Sequence, residues 1–133
     1  MDAAMAPRNG PTTPPALAGK CVLVIEDEEL VALIIEDLLI EHGATMIGPV
    51  TRVPDALNAI ESATFDVVLL DVNLAGQMSY PIADKLVARS KSFVFATGYG
   101  AHGLSDNYKA YPAVKKPFNE LDLIRALALA IAV

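Results

Sequence analysis

Cysteine occurs once, as Cys21, and histidine twice, so the chain closes no internal disulfide and offers a poor ligand set for zinc. A lone cysteine fits a reducing compartment. Basic residues are also scarce: 10 Lys and Arg stand against 16 Asp and Glu, a net charge of −6, which argues against a nucleic-acid-binding face. No apolar run approaches the roughly 20 residues of a membrane span. The chain starts Met1-Asp2, with neither a cationic leader nor an apolar core, so no secretory signal is expected. Together these absences predict a cytoplasmic protein with no nucleic-acid or membrane partner.

What is present is a core. At 133 residues, 53% of them hydrophobic, the chain is one domain with enough apolar material to bury. Residues 1–19 are the exception. They hold four of the nine prolines among small and polar residues (Pro11-Thr12-Thr13-Pro14-Pro15) and read as a flexible tail. Residues 20–133 form the folded domain.

The strongest segment is Phe65-Asp66-Val67-Val68-Leu69-Leu70-Asp71-Val72-Asn73. Four apolar residues in a row predict a fully buried parallel strand, and the run ends on the carboxylate Asp71. By itself that acid reads more readily as the start of a turn or a cap. A second apolar run, Cys21 to Ile25, also stops on acids, Glu26 and Asp27. If these strands neighbour one another in a flavodoxin-like sheet, their carboxyl ends flank the topological switch point and three carboxylates converge there. Such convergence calls for a cation, and hard oxygen ligands suit Mg²⁺.

The remaining chain alternates. Helices are predicted over 29–42, with Val31, Ile34, Ile35 and Leu38 inward and His42 exposed at its end; over 54–62; over 80–89, capped by Ser79; and from Asn119 onward. Strands are predicted over 44–50, 92–96 and 112–115, with 74–79 as a loop. Cys21 reads as a small buried hydrophobe. Between Gly100 and Tyr111, Gly103, Ser105, Asp106 and Asn107 leave room for one or two helical turns, so the fourth helix is short or mobile. Five strand–helix alternations imply an α/β (βα)5 three-layer sandwich with a parallel five-stranded sheet in the order 2-1-3-4-5.

Glu26-Asp27, Asp71, Thr97 and Lys116-Pro117 each fall at a strand end, and in that arrangement residues 20–133 resemble the receiver domain of two-component response regulators. The segment Phe95-Ala96-Thr97-Gly98-Tyr99-Gly100 is similar to the subgroup with a Phe-Ala-Thr-Gly-Tyr motif, commonly single-domain proteins of bacterial stress signalling. The resemblance implies that Asp71 is the phosphoacceptor. It implies that Asp27 is the principal acidic Mg²⁺ ligand, with Glu26 assisting through water and Asn73 contributing its backbone carbonyl. Thr97 corresponds to the switch hydroxyl and Lys116 to the lysine that pairs with the phosphoryl group. In most receivers an aromatic side chain on the fifth strand changes rotamer with phosphorylation; here that place holds Ala113. Output is therefore expected from Gly98 to Tyr111, with Tyr99 as a contact residue.

The expected function is a stand-alone phosphoacceptor with no output domain. It receives its phosphoryl group from a histidine kinase or histidine phosphotransfer protein and signals by protein contact or acts as a phosphate sink. It is not an enzyme beyond phosphorylating and dephosphorylating itself. The alternatives are a small phosphohydrolase with Asp71 as nucleophile, disfavoured because Asn73 stands where such enzymes place a second acid, and a receiver-fold scaffold independent of phosphorylation.

Overall fold

The structure is a computed structural model, and it describes residues 16–132. Five parallel strands form one sheet: β1 (Cys21–Ile25), β2 (Thr45–Val50), β3 (Val67–Asp71), β6 (Phe93–Thr97) and β7 (Ala113–Lys115). Helix α1 spans Glu29–Glu41 and α2 spans Val53–Ser62. After β3 the chain makes a small antiparallel hairpin, β4 (Asn73–Leu74) and β5 (Gln77–Met78), before α3 (Tyr80–Ala88), β6 (Phe93–Thr97), β7 (Ala113–Lys115) and α4 (Glu120–Ala132). The sheet order is β2-β1-β3-β6-β7, so the five parallel strands stand in the predicted order 2-1-3-4-5. Strands β1 and β3 pair directly, Val22 opposite Val67 through Ile25 opposite Leu70, which brings both acid-terminated ends to one edge.

Strand alternation sorts the apolar residues into two cores, as a period of two requires. Val22, Val24, Val67, Leu69, Val94 and Ala96 face α1 and α4. Leu23, Ile25, Val68, Leu70, Phe93 and Phe95 face α2 and α3. Burying each of the Val, Leu, Ile and Phe side chains contributes roughly 1.5–3 kcal/mol, and the doubled burial explains why β3 and β6 read as unbroken apolar runs.

Several local expectations are corrected. The inward face of α1 is Ala32, Ile35 and Leu39, with Val31 and Leu38 half-buried; Ile34 is 55% exposed. This helix is apolar around most of its circumference, so periodicity alone left its rotation undetermined. Residues 16–19, assigned to the tail, form a turn in which Leu17 is fully buried, with Lys20 N–H donating to the Leu17 carbonyl at 3.0 Å. The rest of that segment, 1–15, lies outside the described residues. Residues 74–79 are not simply a loop but include the hairpin, turning through Ala75 and Gly76 at φ 52° and 87°, the left-handed pair that two-residue hairpin loops favour.

Ser79 does not cap α3 with its hydroxyl. Its φ and ψ of −90° and 11° are not the extended geometry that a capping side chain needs. His42 is half-buried rather than exposed, with Nε2 2.9 Å from Glu120 Oε2 on α4. Cys21 is half-buried and free. The fourth helix is short, as expected: two 3-10 turns, Gly100–Gly103 and Asp106–Tyr108, take its place. Asn119 does cap α4, its Oδ1 accepting from Asp122 N–H at 3.1 Å.

Candidate functional site

The carboxyl ends of β1, β3 and β6 meet at one pole, and each delivers a polar residue from an otherwise apolar strand or its first loop residue. Glu26 and Asp27 follow β1, Asp71 closes β3 and Thr97 closes β6. Lys116 follows β7, and its peptide bond to Pro117 is cis. Glu26, Asp71 and Thr97 are buried, at 2%, 6% and 5% exposure, and Asp27 is half-buried.

Carboxylate oxygens of Glu26, Asp27 and Asp71 all lie within 4.8 Å of one another. At an effective dielectric near 20, two unit charges at that separation repel by about 3 to 4 kcal/mol. Lys116 offsets part of this. Its Nζ stands 3.0 Å from Glu26 Oε1 and 3.2 Å from Asp71 Oδ2, bridging the two buried acids. Burial and the neighbouring Glu26 charge push the Asp71 carboxyl up to about 7, although Lys116 opposes both. Burial pulls the Lys116 ammonium down, but hydrogen bonding and charge from Glu26 and Asp71 outweigh it and hold the group above its ordinary value.

Three carboxylates against one ammonium leave the cluster two charges negative when all are ionised. All-oxygen donors, two of them buried, are the chemistry of a hard divalent cation, so the residues fit a metal ion of that kind. One oxygen of each outer acid is already held. Asp27 Oδ2 accepts from Ala75 N–H at the hairpin tip at 3.1 Å, and Glu26 Oε2 accepts from Glu28 N–H at 3.1 Å.

Beside the acids opens a cleft of about 220 Å³, lined by Asp71, Asn73, Met78, Thr97, Tyr99 and Gly103 among others. Thr97 Oγ1 accepts from Tyr99 N–H at 2.9 Å, which leaves its own proton free to donate. Asn73 is exposed. Its N–H reaches Asp71 Oδ1 at 3.4 Å, and its Oδ1 accepts from Gly76 N–H at 2.8 Å. Tyr99 reaches outward, 77% exposed at the cleft rim.

The fold thus gathers Glu26, Asp27, Asp71 and Lys116 into one cluster and sets Thr97, Asn73 and Tyr99 around the adjoining cleft. Met78 and Gly103 also line it and were not anticipated. Met78 sits in a two-residue strand, too short for periodicity to register. Gly103 read only as a helix breaker; its closeness to Thr97 is a tertiary contact.

A family model described as the response regulator receiver domain matches residues 22–128. The Transcriptional regulatory protein PdtaR of Mycobacterium tuberculosis is 28% identical over 128 residues, covering 92% of this chain; the match spans 62% of that relative's own length. Among solved structures, SdrG from Sphingomonas melonis Fr1 superposes with a TM-score of 0.75 at 39% identity, over 89% of this chain and 98% of SdrG. The BeF3-activated conformation of SdrG, from Pseudomonas melonis Fr1, gives 0.72 at 37% identity, over 85% and 98%. The receiver domain of the response regulator PhyR from Erythrobacter litoralis gives 0.75 at 26% identity, over 88% and 93%.

Proposed function

The chain belongs to the response regulator receiver domain family, and from that premise we propose that Asp71 accepts a phosphoryl group from a histidine kinase or histidine phosphotransfer protein. The observation that carries this reading is the Lys116 ammonium placed between Asp71 and Glu26, with Asp27 alongside. It supports the reading because a buried carboxylate, a positive charge and acidic groups able to hold a divalent cation stand together beside one cleft.

A carboxylate oxygen of Asp71 attacks the phosphorus of a donor phosphohistidine. The new P–O bond forms as the P–N bond breaks, and the donor imidazole leaves. Lys116 shifts from carboxylate to phosphoryl oxygen, acting as a point charge for which lysine is suited. Thr97, whose hydroxyl proton is free, turns to donate it to a second phosphoryl oxygen. Mg²⁺ held by Asp27, Asp71 and the Asn73 backbone carbonyl, with Glu26 assisting through water, would supply the remaining charge compensation. The chain's own chemistry is confined to taking and losing this phosphoryl group. The signal leaves through protein contact, at the Tyr99 rim among other places, or the protein drains phosphate as a sink. Among the described residues no helix is long and apolar enough to cross a membrane.

The test is phosphotransfer from a panel of labelled histidine kinases in the presence of Mg²⁺. Label on the wild type that survives acid, is lost in base and is absent from Asp71→Asn supports the proposal. Absence of transfer from every donor, together with no Mg²⁺ binding, refutes it.

A further inference from the structure

An aromatic cluster lies on the α3 side of β6. On the β7 side, Phe95 stands in register with Ala113, whose methyl group offers nothing bulky to move. On the α3 side, Tyr80 and Tyr108 stack face to face at 4.2 Å and 11°, and Phe95 meets both rings edge-on at 6.1 Å. Tyr108 Oη donates to Asp84 Oδ1 at 2.7 Å, and Ser105 N–H donates to Tyr80 Oη at 2.8 Å. Tyr80 and Asp84 are four residues apart on α3, hence on one face of that helix.

Residues 103–108 form a strap between this cluster and the site, and its other end touches the site. A Cβ on Gly103 would collide with Thr97 Oγ1 and would stand 3.2 Å from Tyr99 Cβ and 3.4 Å from Thr97 Cβ. The Gly103 backbone is therefore flush against the Thr97 side chain, and no other residue type fits there without displacing it. Leu104, the next residue, is buried beside Phe95 and the α3 side chains, which fixes the strap between its two ends.

We infer that Gly103 is the positioning residue for the Thr97 hydroxyl, and that residues 103–108 carry the state of the site to the Tyr80–Asp84 face of α3. This rests on the phosphoacceptor reading of Asp71. When Thr97 turns its hydroxyl toward a phosphoryl oxygen, the atoms packed on it cannot keep their place, because close-packed groups shift between discrete arrangements. Ser105 is two residues further on and bonded to α3 through Tyr80. The face of α3 that carries Tyr80 and Asp84, and not β7, is then the surface that differs between the two states.

The test uses Mg²⁺ and beryllofluoride as the phosphoryl mimic, read by amide NMR shifts. In the wild type, Asp71, Thr97, Tyr99, Ser105 and the amides from Tyr80 to Asp84 shift together on loading. In Gly103→Ala, the Tyr99 amide moves in the unloaded protein as its bond to Thr97 is lost, and beryllofluoride affinity falls by about tenfold, the equivalent of one hydrogen bond. The double variant Tyr80→Phe with Tyr108→Phe removes both hydroxyl bonds but keeps the rings. It loads with wild-type affinity while the α3 shifts fall to less than about half. Full α3 shifts in the double variant overturn the strap. A Gly103→Ala protein with unchanged Tyr99 amide and affinity overturns the positioning role; should that variant not fold, a wild-type Gly103 amide that does not shift on loading overturns it instead. If beryllofluoride alters no pocket amide of the wild type, Asp71 and Thr97 included, the phosphoacceptor reading fails and this inference falls with it.

Discussion

Asp71→Asn should make the metal-free protein more stable, and increasingly so as pH rises. The ordinary Asp71 carboxyl value of 3.8 is pushed up to about 7 in the folded state by burial and by Glu26. A carboxyl that holds its proton more tightly when folded contributes its full stability below the unfolded value. It loses that stability as pH climbs through the folded one. Three pH units at 1.36 kcal/mol each set a ceiling of about 4 kcal/mol on the penalty above pH 7. About two of those units lie above pH 5, so the advantage of the asparagine variant should grow by roughly 3 kcal/mol between pH 5 and pH 8.5. The attraction of Lys116 for the Asp71 carboxylate is already contained in the value of about 7, so it is not subtracted a second time.

Urea is the denaturant of choice because guanidinium would screen the charges under test. Because the chain has no tryptophan, far-ultraviolet circular dichroism is the probe. Chelator must be present throughout. Saturating Mg²⁺ should then shrink the difference at pH 8.5, since a cation bound to the wild-type cluster stabilises only the folded state that contains it. A variant whose advantage is the same at pH 5 and pH 8.5, or that is less stable than wild type at pH 8.5, would refute the electrostatic account of the cluster.

Three other outcomes are expected. Asp27→Ala should weaken Mg²⁺ binding by tenfold or more, about 1.4 kcal/mol, measured by calorimetry; unchanged affinity would remove Asp27 from the ligand set. Lys116→Met leaves Glu26 and Asp71 facing each other without their bridge, so it should cost about 3 kcal/mol at pH 8 in chelator and slow phosphotransfer; a fully active variant would dismiss Lys116 from the site. Leu17→Ala should destabilise the fold by about 2–5 kcal/mol, as removal of a fully buried leucine does, and urea titration showing no loss would return residues 16–19 to the tail.

The amino-acid sequence by itself determined the architecture and the membership of the acid cluster. A parallel strand buried on both faces must be apolar throughout, so β1, β3 and β6 stand out as runs, and a charged residue at the end of such a run is conspicuous. That is why Glu26, Asp27 and Asp71 are legible in the sequence. Tertiary structure decided what periodicity and local propensity leave degenerate. Helix α1 is apolar on most sides, so only packing against the sheet and α4 selects Ile35 and Leu39 over Ile34. The hairpin at 73–78 pairs two residues with two, too few for an alternation to appear, yet it places Met78 on the cleft and Ala75 on Asp27. Leu17 sits among residues of tail-like composition, and only the vacancy it fills between elements makes it core. Gly103 carries no side chain to signal anything. Its meaning lies in the space it leaves for Thr97, and that space exists only once β6 and the strap are folded against each other.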